Sequence, residues 1–486
     1  MRDQTESHPA EDSTGAEDAD LQLMHRAFDA LRAAYDSKGG LSYKERMAYL
    51  KALSAAVKAQ KDALIAAVNE DFGNRSTVET GLAELTRIVE SSSFARANLL
   101  DWMEPQEREV GWQLRPATAQ VRYQPLGVVG IIAPWNYPIQ LSLDPLVAAI
   151  SAGNRALIKP SELTPKTSAA LRALLKSVFP EDVVQIVEGD AKVGAAFAGL
   201  PFNHLLFTGS TKVGRAVMKA AAENLVPVTL ELGGKSPFIV HSSFSTAQAA
   251  ERAVWAKCFN SGQTCIAPDY ALVHRAEVDG FVSAAQAAFA KMYPTVGDNA
   301  DYTAIISENH HRRLMSLVSE AEQRGAKVVR CNPANEDDAK LGKKLPLTLI
   351  VDPPKDAACM TEEIFGTVLP VVPYDDFEDA VRFVNARPRP LALYYFDHKG
   401  KRVEDVLERT VSGGAGINEA LIHVTQETMP FGGVGPSGMG SYHGYAGFRT
   451  FSHEKAVMHQ SRMNGMNMLN PPYRGFAKLF QRLMGL

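Results

Sequence analysis

The 486-residue sequence has only four cysteines, Cys258, Cys265, Cys331 and Cys359. They are scattered, without a Cys-x-x-Cys pair or a Cys/His cluster. That excludes a disulfide scaffold and leaves no spacing for a metal, so no metal site is expected and the compartment is a reducing cytoplasm. Charge of one sign is lacking as well: 51 Lys and Arg face 55 Asp and Glu, a net charge of −4. Nucleic acid is therefore not an expected partner. No apolar run approaches the roughly 20 residues that span a bilayer. Residues 1–20 have no apolar stretch of the signal-peptide kind, and no internal repeat is visible. They carry Asp3, Glu6, Glu11, Asp12, Glu17, Asp18 and Asp20 against Arg2. Such a stretch buries too little surface to offset its ordering entropy, which predicts a disordered acidic tail over 1–20.

What is present is ordinary globular composition, 45% hydrophobic and 22% charged, in a chain too long for one core. Met24, Phe28, Leu31 and Tyr35 recur at helical spacing, and a second amphipathic run follows Ser42. From Val110 to Tyr123 that period is lost, which predicts a β-hairpin leaving the domain. Continuous apolar runs then occupy 127–133, 156–158, 183–187 and 204–207, with helical stretches between them. One of these helices opens at Thr164-Pro165, a capping residue and a proline at the first position. Strands covered on both faces and alternating with helices specify a parallel, doubly wound sheet. The alternation resumes after Gly233 around Cys265.

The predicted fold is thus α/β, with two doubly wound parallel-sheet domains and a small β extension. Residues 21–109 and 125–230 form the first domain and 231–445 the second. Residues 110–124 and 446–486 form the bridging segment and C-terminal tail, and 332–344 is an exposed polar loop. Near the end, Phe476, Leu479, Phe480 and Leu483 share a helical face, with Arg474, Lys478 and Arg482 nearby. A helix of this kind can lie on a membrane surface, but packing on its own protein or a partner subunit is the expectation.

The chemistry is concentrated at strand ends, where ligands bind on such sheets. Asn260-Ser261-Gly262-Gln263-Thr264-Cys265 sets one thiol among small and polar residues, unlike a packed structural cysteine. Gly209-Ser210-Thr211-Lys212-Val213-Gly214 follows a strand and opens a helix, an anion site or a plain tight turn. Arg215 and Ala216 exclude a P-loop. Lys159 and Glu162 stand three apart at another strand end, where they could bond ribose hydroxyls or simply pair in solvent. Pro134-Trp135-Asn136-Tyr137-Pro138 brings an amide, a frequent oxyanion donor, to a third. Glu231 and Glu363 lie in glycine-bounded apolar motifs, where partial desolvation raises a carboxyl towards the range of a general base.

Together these motifs resemble the aldehyde dehydrogenase superfamily from about Leu21 to Val457. Glu231 and Cys265 stand 34 positions apart (265 − 231), as that family's base and nucleophile do. Ala267-Pro268-Asp269-Tyr270 and Ser441-Tyr442-His443-Gly444 resemble its class 3 branch, and within it the chain is most similar to bacterial coniferyl aldehyde dehydrogenases. The resemblance implies an NAD(P)-dependent oxidation of a hydrophobic, aromatic aldehyde such as coniferaldehyde to its acid. Cys265 is the implied nucleophile, with Asn136 and the Cys265 N–H at the oxyanion. A thiohemiacetal gives hydride to the nicotinamide, leaving a thioester that water hydrolyses. Glu231 is the implied base, with Glu363 the alternative. Lys159 and Glu162 would hold the adenosine ribose, Gly209, Ser210 and Gly214 the pyrophosphate, and Glu363 and Phe365 the nicotinamide ribose and ring. Tyr137 and Thr264 are the expected substrate contacts.

NAD is the expected cofactor because Glu162 should repel a 2′-phosphate, and NADP stays open. A homodimer is implied, with the hairpin and a C-terminal strand completing a shared sheet. Thr367 departs from the family, which has proline there, and predicts a looser turn after Phe365. The alternatives are a class 3 enzyme for medium- or long-chain aliphatic aldehydes, a cofactor-free cysteine esterase, and a non-catalytic binding protein.

Overall fold

A computed structural model describes residues 12–466, 470–473, 475–483 and 485. Residues 1–11 lie outside the described residues, but the chain is helical from Asp12 to Lys38. This corrects the expected disorder over 12–20 only. The helix is anchored further along, where Met24, Phe28 and Leu31 pack with Val128 and Leu157. Once nucleated there, adding a residue costs little, and acids near a helix N-terminus suit its dipole.

Among the described residues the strands form three sheets. One comprises β3 (Val128–Ile132), β4 (Arg155–Lys159), β5 (Val184–Ile186), β6 (His204–Thr208), β7 (Val228–Glu231) and β15 (Gly438–Met439), in the order β15-β7-β6-β3-β4-β5. All its pairs are parallel except β15 on β7. The second comprises β8 (Pro237–Val240), β9 (Tyr270–His274), β10 (Lys327–Arg330), β11 (Thr348–Val351), β12 (Val368–Tyr374), β13 (Ala392–Phe396) and β14 (Gly414–Ile417). Its order is β10-β11-β12-β9-β8-β13-β14, with only β10 antiparallel. The apolar runs predicted as strands are thus strands of a parallel sheet, covered by helices.

Two boundaries differ from the sequence reading. The stretch before residue 445 returns to the first sheet, because Gly438 pairs with Glu231 and Met439 with Leu230. The hairpin starts before Val110: β1 (Gln106–Arg108) pairs antiparallel with β2 (Thr118–Pro125). β16 (Ser452–His459) then pairs along the whole of β2, completing a third sheet.

The helix that places the site is Gln140–Ala152, every residue of which is buried. It ends at Gly153 with φ 92, where a Cβ would stand 2.3 Å from the Arg46 guanidinium. Arg46 in turn donates to Leu41 O and Ser151 O at 2.7 and 2.9 Å. The helix Pro165–Val178 begins where Thr164-Pro165 predicts, but Thr164 makes no side-chain cap. Asp71 does so from another helix, accepting from Lys166 N and Thr167 N at 3.0 and 2.8 Å.

Gly475–Leu483 is helical. Leu479 and Leu483 are 52% and 69% exposed, so the expected packing on the chain's own body does not cover them. Arg474 and the side chains of Phe476 and Phe480 lie outside the described residues. Among the described residues, no helix is long and apolar enough to cross a membrane.

Candidate active site

Cys265 is delivered by a tight turn in which Asn260 and Ser261 both adopt φ 50 and Gly262 adopts φ 69. A Cβ at Gly262 would meet Gly366 O at 2.4 Å, so glycine is required. Such backbone persists only where its surroundings fix it. Here Asn260 N donates to the Glu79 carboxylate at 2.9 Å, and Gln263 Nε2 donates to Asn260 O and Ala304 O at 3.1 Å. The Ser261 hydroxyl bonds Thr303 O. Beyond the turn, Cys265 reaches a cavity of about 240 Å³ whose walls include Tyr137, Trp255, Phe259, Ile266, Leu421 and Phe431. The other three cysteines are buried. Tyr137 and Thr264 do come together on this wall, hydroxyl to hydroxyl at 2.7 Å.

Asn136 follows β3 and is buried, with Nδ2 donating to Gln263 O at 3.1 Å. Its carbonyl accepts from Arg75 Nη1 at 2.8 Å and Asn260 Nδ2 at 3.0 Å. Arg75 pairs with Glu84 at 3.2 Å, neither side chain exposed, and its guanidinium lies 4.9 Å from both the Phe72 and Tyr137 ring centres. Glu84 also accepts from Ile139 N and Gln140 N at 2.7 and 3.2 Å, serving free N–H groups at the start of the buried helix. Arg75 and Glu84 are absent from the sequence-based site, because that stretch reads as an ordinary amphipathic helix. Around Glu84 the helix is in fact a π-turn, Gly81–Thr86, a form that gathers at functional sites.

The two glutamates differ. Glu231 ends β7, fully buried, and neither carboxylate oxygen has a hydrogen-bond partner. Burial holds its carboxyl well above the ordinary value. Glu363 accepts from Gly234 N at 3.1 Å. Burial, then the neighbouring Asp269, push it up to about 7. A Cβ at Gly233 would stand 2.1 Å from Glu363 Oε1, so glycine there lets the two loops meet.

The thiol itself does not rest as thiolate. Burial and the charges of Glu363 and Glu231 push it up to about 12, against the pull of the Cys265 and Ile266 N–H groups. The polar neighbours in the sequence suggest an activated thiol, but a second negative charge beside carboxylates is unfavourable. Attack by this sulfur would therefore need a base to take its proton.

Glu363 and Phe365 lie on one arm between Glu362 and Thr367. Phe365 adopts φ 56 and packs edge-on against Trp135 at 5.4 Å between ring centres. Thr367 does not loosen this turn as expected. It is fully buried, its hydroxyl donates to Leu345 O at 2.7 Å, and its carbonyl accepts from Thr348 N at 2.9 Å. The hydroxyl bond, which a proline could not make, holds the turn in place.

The remaining predicted residues line the carboxyl ends of the first sheet. Lys159 Nζ is buried 3.6 Å from the half-exposed Glu162 carboxylate. Gly209 N bonds Glu231 O at 3.0 Å. Exposed Ser210 caps the helix Thr211–Ala222, accepting from Val213 N at 3.4 Å. A Cβ at Gly214 would meet Leu232 Cδ2 at 2.6 Å, so this glycine brings that helix close to the strand. An uncovered helix start with a buried amine and an exposed carboxylate nearby fits a dinucleotide. Among the described residues, no group of His, Cys, Asp and Glu could hold a metal.

Two measurements check this electrostatic picture. Without cofactor, alkylation of Cys265 by iodoacetamide should rise about tenfold per pH unit up to about pH 10, as expected for a thiol titrating near 12. A plateau below pH 9 would contradict it. Arg75→Met strands Glu84 without its cation and should cost about 3–5 kcal/mol in a urea denaturation; an unchanged midpoint would mean that the pair is dispensable.

Comparison with known proteins agrees with the geometry. A model of the aldehyde dehydrogenase family matches residues 4–457. The chain is 48% identical over 465 residues to a probable coniferyl aldehyde dehydrogenase of Pseudomonas aeruginosa, covering 96% of this chain and 97% of that one. It is 45% identical over 454 residues to the coniferyl aldehyde dehydrogenase of a Pseudomonas species, covering 93% and 94%. The substrate-bound state of Staphylococcus aureus AldH superposes with a TM-score of 0.89 at 36% identity, over 95% of this chain and 99% of that one. With a family match over most of its length and such relatives across nearly all of it, this chain belongs to the aldehyde dehydrogenase family.

Proposed function

We propose that this aldehyde dehydrogenase oxidises a hydrophobic aromatic aldehyde of the coniferaldehyde kind, with NAD as acceptor. The observation that carries this reading is Cys265 at the wall of an aromatic-lined cavity, beside a pinned amide and two glutamates. The names of the similar Pseudomonas enzymes support the substrate class. The half-exposed Glu162 carboxylate beside Lys159 supports NAD over NADP, since it would face a 2′-phosphate.

In the proposed reaction, Cys265 Sγ bonds the aldehyde carbon while its proton passes to a glutamate. The new oxyanion sits at Asn136 Nδ2 and the Cys265 N–H. Asn136 Nδ2 has a second hydrogen free of Gln263 O, and Arg75 holds its backbone so that the amide is not displaced. A bound nicotinamide would supply the hydride acceptor for the thiohemiacetal carbon held at Cys265. Water, giving up a proton to the base, then splits the Cys265 thioester into acid and thiol. Covalent catalysis divides one hard oxidation into easier steps.

Glu231 keeps its place as first choice for the base, because its unpaired oxygens are free to take a proton from water once they ionise. A specific observation favours Glu363 as the second reading: its carboxyl, at about 7, is half ionised near neutral pH. Lys159, Glu162, Gly209, Ser210 and Gly214 hold the dinucleotide on the first sheet, while Glu363 and Phe365 reach its nicotinamide end from the second. The three-stranded sheet, with β16 at its edge, is the proposed oligomerisation element of a homodimer, since an unpaired strand edge seeks a partner.

The test is absorbance at the NADH band with coniferaldehyde, benzaldehyde and a medium-chain aliphatic aldehyde, with NAD and NADP in parallel. Coniferaldehyde with NAD should give the highest kcat/KM, Cys265→Ala should give no signal, and Asn136→Ala should lose about 10²–10³-fold in kcat. A preference for the aliphatic aldehyde, or for NADP, would overturn the corresponding half of the proposal.

A further inference from the structure

The arm that carries Glu363 and Phe365 is held by side chains to which the proposed reaction gives no role. Lys235 and Asp269 form a nearly buried ion pair, 10% and 4% exposed. Asp269 Oδ1 accepts from Ile364 N at 2.9 Å, in the middle of the arm. Lys235 Nζ donates to Cys359 O and Glu362 O, both at 2.8 Å, at its start. From the opposite side Arg313 donates to Ile364 O at 2.8 Å and also to Glu363 O. Side chains therefore bond the polar backbone from Glu362 to Ile364, and Phe365 follows at φ 56. A residue in that region persists only where its surroundings over-determine it.

The position of the pair in the chain sets it apart from a structural filler. Lys235 is the next residue but one after Gly233, on the loop that leaves Glu231. Asp269 lies four residues beyond Cys265, and its N–H donates to Ser236 O at 2.8 Å. One ion pair thus ties together the Glu231 loop, the Cys265 loop and the Glu363–Phe365 arm. Behind it lies Lys257, fully buried, with Nζ 4.0 Å from Asp269 Oδ1 and no hydrogen-bond partner. Asp269 therefore faces two cations, and among the described residues neither has another carboxylate within ion-pair distance.

We infer that Asp269, together with Lys235, is a positioning residue: it fixes the Glu363–Phe365 arm against the nucleophile loop and so presets the nicotinamide end of the cofactor site. This rests on the proposed contact of Glu363 and Phe365 with the dinucleotide. Neither Asp269 nor Lys235 touches a reacting atom, so the effect falls on cofactor affinity before it falls on aldehyde binding. Arg at 235 would preserve the cation with more donors, whereas Gln would leave Asp269 without its near counter-ion.

The experiment compares Asp269→Asn, Lys235→Gln and Lys235→Arg in the full chain, with Glu363→Gln alone and combined with Asp269→Asn. KM for the dinucleotide should rise about tenfold or more in Asp269→Asn and Lys235→Gln, as expected for loss of a buried charge-assisted hydrogen bond. KM for the aldehyde should stay within about twofold, and Lys235→Arg should recover most of the loss. The Asp269→Asn/Glu363→Gln pair should be strongly non-additive, since one residue acts through the other. Equal rises in both KM values, or additive effects, would reduce the pair to general stabilisation and overturn the inference. If Glu363→Gln alone leaves the dinucleotide KM unchanged, the underlying cofactor contact fails instead. Should Asp269→Asn not fold, the contrast between Lys235→Gln and Lys235→Arg decides.

Discussion

Arg75 and Glu84 meet where neither side chain touches water, and a buried charge is tolerated only when paired and hydrogen-bonded. Each member also bonds a part of the site, Arg75 through Nη1 and Glu84 through Oε2. Arg75 holds the Asn136 carbonyl and lies against the Tyr137 ring. Glu84 takes the N–H groups of Ile139 and Gln140. The desolvation cost is thereby turned into geometry. An amide proposed to meet an oxyanion within a few tenths of an ångström cannot hang from a loose turn. Here its backbone carbonyl is held by a buried ion pair.

The second sheet follows the same logic, since polar loops at strand ends need partners that parallel strands cannot supply. The Cys265 turn is bonded through Glu79, Thr303 and Ala304, and the arm after Glu362 through Lys235, Asp269 and Arg313. This polar scaffold has an electrostatic consequence. Burial, reinforced by the carboxylates near the sulfur, keeps the resting thiol protonated, which protects it from adventitious oxidation and alkylation. In the proposed reaction the thiolate forms only when substrate, cofactor and base are assembled.

Much of this was legible in the sequence because its signals are local. Apolar runs ended by Pro134, Pro160 and Gly209 became strands whose ends carry Asn136, Lys159 and Ser210. Gly262 marks a close backbone approach to Gly366 that any side chain would block. The missing parts are non-local. Nothing in the run around Arg75 says that it will reach a carbonyl 61 residues away. Asp71 replaces the cap expected of Thr164, and Gly438 returns to a sheet the chain has long left. Acidic composition from Asp12 to Asp20 was a poor guide because a helix nucleated further along can extend through it. Thr367 shows the limit of motif reading, since a missing proline is compensated by a hydrogen bond to a loop residue 22 positions away.

The central claim is that oxidation runs through a covalent bond at Cys265. It is tested most directly by mixing enzyme, NAD and coniferaldehyde, quenching in acid within one turnover, and mapping the peptides by mass. A base-deficient variant, Glu231→Gln or Glu363→Gln, would let the acyl-enzyme accumulate. The account predicts a single modified peptide, containing Cys265 and heavier by the aldehyde less two hydrogens. An unmodified Cys265 peptide alongside full NADH formation, or an adduct on another residue, would contradict it.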